Sequence, residues 1–352
     1  MPDLHDYFRQ LKRIGASDLH LAAQRPPMYR ASGQITPIPG APVLDDPTLR
    51  GMLKAHVTEL QWERFERDHD LDFATALDGV ARFRGNYFVQ HSGVAAVFRM
   101  VPDQIIPIEQ LGVPDVVPGL ATLESGLVLV TGPTGSGKST TLAAIIDLIN
   151  RSEARHIVTI EDPVEFVHEN KHAVISHREV GADSDSFASA LKAALRQDAD
   201  VVLVGEMRDY ETVSLAVEAA AMGVLVFGTL HTNSAAKTVD RIIDSFPNDE
   251  QEQARGSLAE SLAAVVSQIL VRRADGGRVG AHEILVRTSG LAGAIREGNT
   301  AMINSVIASG RSLGMQTMDA ALMALVKAGT VDGREAYLKA ADKKLFQQYG
   351  NA

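Results

Sequence analysis

From Gly126 onwards, short apolar segments alternate with longer amphipathic ones along the chain. The apolar segments have the length of strands and comprise Leu127–Thr131, Ile157–Ile160, Val201–Val204 and Val224–Leu230. Between the strands, apolar residues recur every three or four positions, as is typical of amphipathic helices. Helices between fully apolar strands indicate a largely parallel sheet that is covered on both faces. The pattern therefore predicts an α/β domain in this part of the chain.

The first hundred residues show a different, mixed pattern. Apolar residues at helical spacing follow Leu4 and again span Asp46–Phe65, whereas strand-like segments cover Leu71–Ala74, Ala81–Gln90 and Val94–Phe98. These segments predict a small antiparallel sheet backed by helices, and hence an α+β domain.

The remaining segments complete the predicted organisation. The proline-rich stretch from Pro102 to Pro118 predicts a linker. A capping box at Asn248 and Gln251 predicts a long helix that reaches about Val271. We therefore expect an N-terminal domain over residues 1–100, a linker over 101–120, an α/β core over 121–290 and a helical C-terminal region over 291–352.

Composition narrows the class of protein. The 352 residues are 45% hydrophobic and 22% charged, which favours two globular domains over disorder. The absence of cysteine excludes disulfides, thiolate zinc sites and iron–sulfur clusters, and favours a cytoplasmic location. No apolar stretch approaches the roughly 18 residues of a membrane-spanning helix, and the first residues do not resemble a signal peptide. We expect any membrane association to go through a partner.

Charge is unevenly distributed along the chain. Residues 1–100 carry 12 basic and 12 acidic side chains, so the net charge of −10 falls entirely on residues 101–352. A duplex-binding domain normally carries a basic stripe, and this larger part is acidic. Direct binding of nucleic acid is therefore not expected.

A phosphate-binding loop follows the first predicted strand of the α/β domain. The pattern G-x-x-x-x-G-K-[ST] is met by Gly132, Pro133, Thr134, Gly135, Ser136, Gly137, Lys138 and Ser139, with Thr140 next in the helix. Its glycines allow backbone N–H groups to face ATP phosphates, Lys138 would contact the β- and γ-phosphates, and Ser139 would bind Mg²⁺. The structural alternative is a glycine-rich turn with an incidental lysine.

Three further groups lie at strand ends of the same predicted sheet. Glu206 follows Val201–Val204 and would hold Mg²⁺ through water. Glu161, Asp162 and Glu165 follow the strand Ile157–Ile160, and spacing alone does not decide which of them would activate the attacking water. His231 ends another strand and is either a γ-phosphate sensor or a structural histidine. We interpret His168, His172 and His177 as surface histidines rather than zinc ligands.

These motifs together resemble a known family. GPTGSGKST (132–140), TIEDPVEF (159–166), VGEMRD (204–209) and GTLHT (228–232) resemble the Walker A, aspartate, Walker B and histidine boxes of secretion-type ATPases. Within that superfamily the chain is similar to the PilT family of type IV pilus retraction motors. ASDLHL (16–21), ARFRGN (81–86) and SLGMQTMD (312–319) also match the family, so the resemblance covers most of the chain.

The resemblance implies a PAS-like N-terminal domain, a RecA-like ATPase domain and a helical C-terminal region, assembled as a homo-hexamer. It implies that Glu165 is the general base, that Glu206 is the Walker B acid and that His231 belongs to the histidine box. Arg84 and Arg99, with a weaker match at Arg82, correspond to arginines that the family brings to the phosphates. The expected partner is the platform protein of the pilus machine, which would place the chain at the inner membrane.

The sequence departs from the family pattern at three places. Val224 stands where a histidine is usual, His177 stands where a glutamine is usual, and Ala292 and Gly293 replace an Arg–Asn pair. These departures keep open a regulatory or accessory retraction ATPase with low turnover. A pilus-extension or type II secretion ATPase is a second alternative, although such proteins usually carry a four-cysteine metal module. A RecA-like nucleic-acid motor is a third.

Overall fold

The chain divides into two compact units, Met1–Gln104 and Ile105–Ala352. The computed structural model describes residues 3–31, 33–101 and 104–350, so two residues of the predicted linker, Pro102 and Asp103, lie outside the described residues. Each unit is built on one sheet, of six strands in the first and seven in the second.

The first unit is an antiparallel sheet covered by three helices. Its elements are α1 (Leu4–Ile14), β1 (Asp18–Ala22), β2 (Met28–Ala31), β3 (Gln34–Pro37), α2 (Asp46–Lys54), α3 (Glu59–Asp68), β4 (Asp70–Leu77), β5 (Ala81–Gln90) and β6 (Gly93–Val101). The strands are ordered β3-β2-β1-β6-β5-β4. Aromatic residues form the core, where Phe8 of α1 stacks on Phe83 of β5 with ring centroids 4.0 Å apart. The expected α+β architecture is confirmed.

The helix predicted over Asp46–Phe65 is in fact two helices. The first ends at Lys54, and Thr58 begins the second by accepting a hydrogen bond from the Gln61 N–H, while the Gln61 side chain accepts one from the Thr58 N–H. This reciprocal capping satisfies backbone donors that would otherwise lack partners, and it therefore favours a new helix start at Thr58 over a continuous helix.

The second unit is a mostly parallel sheet with helices on both faces. Its elements up to the last strand are α4 (Val116–Gly119), β7 (Gly126–Thr131), α5 (Lys138–Ser152), β8 (His156–Glu161), β9 (Val174–Glu179), α6 (Phe187–Ala194), β10 (Val201–Val204), α7 (Tyr210–Ala221), β11 (Leu225–Leu230), α8 (Ala235–Asp244), α9 (Gln251–Ser261), β12 (Leu262–Arg272) and β13 (Arg278–Val286). The order β13-β12-β7-β11-β10-β8-β9 is parallel throughout except between β12 and β13.

Burial on both faces explains the continuous apolar strands. Leu127 and Leu129 of β7 belong to one core, and Val128 and Val130 belong to the core on the opposite face. Successive side chains of a strand point to opposite faces, so a strand covered on both sides needs apolar residues at every position. The predicted α/β architecture is confirmed.

The long helix predicted to reach Val271 is wrong. Helix α9 ends at Ser261, and the chain continues at once as strand β12, which pairs with both β7 and β13. Helical periodicity does not distinguish a short buried helix from a buried strand, and here pairing with two neighbouring strands decides the conformation. Strands β1, β2, β3, β9 and β13 were also not predicted.

The end of the chain is helical, as expected. It contains α10 (Ser289–Arg296), α11 (Ile303–Ser309), α12 (Met318–Lys327) and α13 (Gly333–Lys339), followed by a 3₁₀ segment over Lys343–Tyr349. Leu322 and Phe346 pack with Val271 and Ala281, so the last helices rest on strands β12 and β13. Across residues 3–31, 33–101 and 104–350, no helix has both the length and the apolar character needed to cross a membrane.

Candidate functional site: a phosphate-binding edge

Four parallel strands that are adjacent in the sheet deliver the four motifs to one edge. In the order β7, β11, β10 and β8, their carboxyl ends lead into the phosphate-binding loop, His231, Glu206 and the Glu161–Glu165 turn. Backbone hydrogen bonds continue the pairing beyond the strands, from the Gly132 N–H to the Leu230 carbonyl and from the Gly205 N–H to the Ile160 carbonyl. Ligands of open α/β sheets bind at the carboxyl ends of strands, so this edge is the candidate site.

Glycine is required at two positions of the loop. Gly132 has φ 145°, and a Cβ there would lie 2.2 Å from the backbone oxygen of Gln268. Gly137 has φ 90° and is the residue from which α5 begins. Residues with a side chain rarely adopt these conformations, so the glycines allow the backbone to turn tightly against β12.

The loop has the features of an anion-binding site. The Lys138 ammonium donates to the carbonyl oxygens of Gly132 and Pro133, at 2.9 and 3.3 Å, so this cation lies inside the turn of the loop. Burial lowers the pKa of Lys138, and the charge of Glu206 partly opposes this effect. No side chain caps the start of α5, and the buried hydroxyl of Ser136 has no hydrogen-bond partner. Polar groups left in this way fit the phosphates of a nucleotide.

Glu206 lies between the side chains of Arg208 and His231. One of its carboxylate oxygens is 3.1 Å from Nε2 of His231, and the other accepts a hydrogen bond from Arg208 at 2.6 Å. Burial by itself would raise the pKa of Glu206, but Arg208, His231 and Lys138 outweigh it and hold this pKa below its usual value. The structure therefore brings together the predicted residues Lys138, Glu206 and His231, and these surroundings favour the ionised form of Glu206.

The acidic turn after β8 contains carboxylates in different environments. Glu161 is buried, with 7% of its surface exposed, and accepts a hydrogen bond from the Glu165 N–H at 3.0 Å. Asp162 is exposed and interacts electrostatically with Arg208. Glu165 is half-buried at the end of this turn. The Glu161 carboxylate thus shapes the backbone around Glu165, which leaves Glu165 and Asp162 as the more accessible acids.

The candidate magnesium ligands lie on the same edge. Ser139 is exposed in the first turn of α5, and the Glu206 side chain is 19% exposed. Among the residues that the structure describes, no group of three or more His, Cys, Asp or Glu is arranged as a metal site. One hydroxyl and one carboxylate nevertheless fit Mg²⁺, because this ion keeps several waters and is completed by substrate phosphates.

The two predicted arginines lie side by side in the first unit. Arg84 of β5 and Arg99 of β6 are directly opposite each other in the antiparallel pairing. The Nε atom of Arg99 donates to the buried carboxylate of Asp18 at 2.8 Å, while 68% of the Arg99 side chain is exposed. Two like charges on opposed positions of a sheet repel each other, and an anion or a carboxylate such as Asp18 relieves the repulsion.

Several residues of these sites were not predicted from the sequence. Arg208 and Asp18 pair with predicted site residues, yet neither was singled out within its motif. Gln268 contacts the loop from β12, which was predicted as helix. The interpretation of His168 as a surface histidine is wrong, because it is 6% exposed and stacks on His177, with burial lowering its pKa to about 4.

His177 occupies the position where the family usually has a glutamine, and it makes specific contacts. Its Nε2 lies 3.1 Å from the backbone nitrogen and 3.3 Å from the carbonyl oxygen of His168, and its Nδ1 shares a 2.8 Å hydrogen bond with the Thr159 hydroxyl. Thr159 is its direct partner in the pairing of β8 with β9. The histidine therefore ties the edge strand to the strand that leads into the acidic turn.

Comparison with known proteins shows the family to which the chain is similar. The family model "Type II/IV secretion system protein" matches residues 64–329. The type IV pilus retraction ATPase PilT of Pseudomonas aeruginosa is 48% identical over 93% of this chain and 94% of its own length. A twitching motility protein of Neisseria gonorrhoeae is 47% identical, over 90% of this chain and 85% of its own length.

A solved structure extends the similarity to the fold. The crystal structure of the pilus retraction motor PilT with bound ADP has a TM-score of 0.92 and 41% identity, and the alignment covers 99% of this chain and 100% of that one. From its two sheets, its motif-bearing strand ends and these alignments, we conclude that the chain belongs to the type II/IV secretion system protein family and, within it, to the PilT family.

Proposed function

We propose that the protein is an ATP-hydrolysing motor that powers retraction of a type IV pilus. The observation that carries the proposal is the convergence of Lys138, Glu206, His231 and the Glu165 turn at the ends of four adjacent parallel strands. Relatives that are named for pilus retraction and twitching motility align over most of this chain, which supports the biological role.

The P-loop binds the phosphates and the acids act at the γ-phosphoryl group. Lys138 and the N–H groups of the loop and of α5 offset the phosphate charge. Ser139 and, through water, Glu206 would hold Mg²⁺, which would supply further charge neutralisation at the phosphates. His231 and Arg208 keep Glu206 ionised and oriented, as their contacts with both carboxylate oxygens support.

Glu165 is the general base in this proposal. Its carboxylate takes a proton from the attacking water, whose oxygen bonds to the γ-phosphorus as the bond to the leaving ADP oxygen breaks. The hydrogen bond from its N–H to Glu161 supports the assignment, because it holds the backbone of the base in place. Arg84 and Arg99 carry guanidinium groups, whose geometry matches phosphoryl oxygens.

The motor works as a homo-hexamer on the platform protein of the pilus machine in the inner membrane. Binding of ATP and release of ADP and phosphate drive domain motions in the ring, and these motions are passed to the platform. In this proposal the membrane is reached through that partner.

The decisive test of the chemistry is Glu165→Gln in the purified protein. We expect the variant to bind a fluorescent ATP analogue with an affinity close to that of the wild type while phosphate release falls at least a hundredfold, because only proton transfer is removed. The matched control is Glu169→Gln, which makes the same charge change at an exposed residue of the same loop. Full hydrolysis by Glu165→Gln would remove this residue as the base.

The biological role is tested with Lys138→Ala in the cell. A strain that carries this variant should assemble pili but fail to retract them and fail to twitch. The departures at Val224, Ala292 and Gly293 leave open a low-turnover accessory paralogue. The measured rate of ATP hydrolysis by the purified wild type separates a motor from such a paralogue. Normal retraction in the Lys138→Ala strain would contradict the proposal.

A further inference from the structure

Gln268 of β12 lies directly beneath the phosphate-binding loop. Pairing between β7 and β12 ends with Thr131 opposite Ser267, so Gln268 is the first residue of β12 beyond the end of β7. The loop turns over it so closely that a Cβ on Gly132 would clash with the Gln268 carbonyl oxygen. Gln268 itself is only 2% exposed.

The side-chain amide of Gln268 joins the loop to the first turn of the following helix. Its Nε2 donates to the Ser136 carbonyl oxygen at 2.6 Å, and its Oε1 accepts from the Thr141 hydroxyl at 2.9 Å. The orientation of the amide follows from chemistry, because a carbonyl oxygen can only accept and must therefore face the nitrogen. The two contacts lie on either side of Gly137 and Lys138.

Holding the Ser136 carbonyl also sets the direction of the next backbone N–H. The C=O of Ser136 and the N–H of Gly137 belong to one planar trans peptide, so they point in opposite directions. With the carbonyl fixed towards Gln268, the Gly137 N–H is turned away from β12. Backbone N–H groups that are not used within the fold are the ones with which a P-loop binds phosphate, and the Gly137 N–H is placed to be one of them.

We propose that Gln268 is a positioning residue that holds the peptide between Ser136 and Gly137 in its phosphate-binding orientation. The inference rests on the proposed function of the loop in nucleotide binding. Gln268 touches no reacting group, and its effect passes through the loop backbone and through Thr141.

The direct test is Gln268→Glu in the full-length protein. The change keeps the shape of the side chain and the acceptor for Thr141, but it places a carboxylate oxygen against the Ser136 carbonyl in a buried site. We expect the Kd for a fluorescent ADP analogue and the KM for ATP to rise about tenfold or more, with kcat within about twofold, because ground-state and transition-state binding weaken alike. Gln253→Glu, at an exposed site on α9, is the matched control and should bind as the wild type does.

A merely structural role predicts a different result. If Gln268 only supported the fold, the variant would melt at a lower temperature without nucleotide but bind the ADP analogue within twofold of the wild type, and this outcome would overturn the proposal. Should Gln268→Glu fail to fold, Thr141→Val and Thr141→Ser decide. Thr141→Val should weaken binding about threefold or more and Thr141→Ser should restore it, whereas wild-type binding by Thr141→Val counts against the proposal.

Failure here is distinguishable from failure of the proposed function. If the wild type binds the ADP analogue, Lys138→Ala does not, and Gln268→Glu binds as tightly as the wild type, only the role of Gln268 falls. If the wild type itself does not bind the analogue, the proposed function falls with it.

Discussion

Because His282 is buried, we expect the folded protein to lose stability in mild acid. It lies on β13 with 4% of its surface exposed, directly opposite Gln268 of β12. The ring folds over Gly280, where a Cβ would lie 2.6 Å from the imidazole Cε1. Burial alone lowers the pKa of His282 from 6.5 to about 4, because the interior disfavours the charged ring.

The magnitude follows from the difference between the two pKa values. Between pH 6.5 and about 4, the unfolded chain takes up a proton at His282 and the folded chain does not, so acid favours unfolding. The stabilising effect is present above pH 6.5 and is lost as the pH falls through this window. At pH 5 the loss relative to pH 7 is about 2 kcal/mol for this residue alone.

The assay compares His282→Phe with the wild type by urea unfolding at 25 °C, followed by circular dichroism at pH 7 and pH 5. Other groups titrate equally in both proteins, so the wild type should lose about 2 kcal/mol more than the variant. The emission of Trp62 in the first unit follows that unit separately. His172→Phe, which removes an exposed ring, should keep the wild-type pH dependence. Identical pH dependence in His282→Phe and the wild type would refute the reasoning.

Three further changes test other features of the structure. Gly293→Ala should raise the free energy of unfolding by about 0.5–1 kcal/mol in urea titrations, since the residue lies in α10 and a Cβ there meets open space. Destabilisation would show that a methyl group is not accommodated at this position. Arg208→Ala removes the main partner that lowers the pKa of Glu206. In a plot of ATPase rate against pH, the fall in rate on the acid side should therefore move to higher pH. An unchanged acid side would argue against the Glu206–Arg208 pair. Asp18→Asn should destabilise the first unit by about 1–3 kcal/mol, because the buried side chain loses its charged hydrogen bond with Arg99. Urea unfolding followed by Trp62 emission measures this loss, and unchanged unfolding would contradict it.

Local sequence patterns were sufficient to predict those elements whose physical constraints are themselves local. A strand buried on both faces needs apolar side chains at every position, so β7, β8, β10 and β11 were readable from composition along the sequence. The phosphate-binding loop was readable because its glycines and lysine are set by the turn itself. The family resemblance added an assignment of Glu165 that spacing alone had left open.

The tertiary structure decided what depends on contacts between distant segments. Residues Leu262–Val271 carry a pattern that suits helix or strand, and pairing with β7 and β13 made them β12. That pairing then placed Gln268 under a loop more than a hundred residues earlier in the chain. Burial of His168 and His282, and the pKa values that follow from it, likewise depend on how segments pack rather than on their neighbours in sequence. The sequence by itself determined the candidate residues for nucleotide binding and hydrolysis. Only the packing of the second unit decided which side chains contact them, because desolvation and hydrogen bonding arise from contacts that local sequence does not encode.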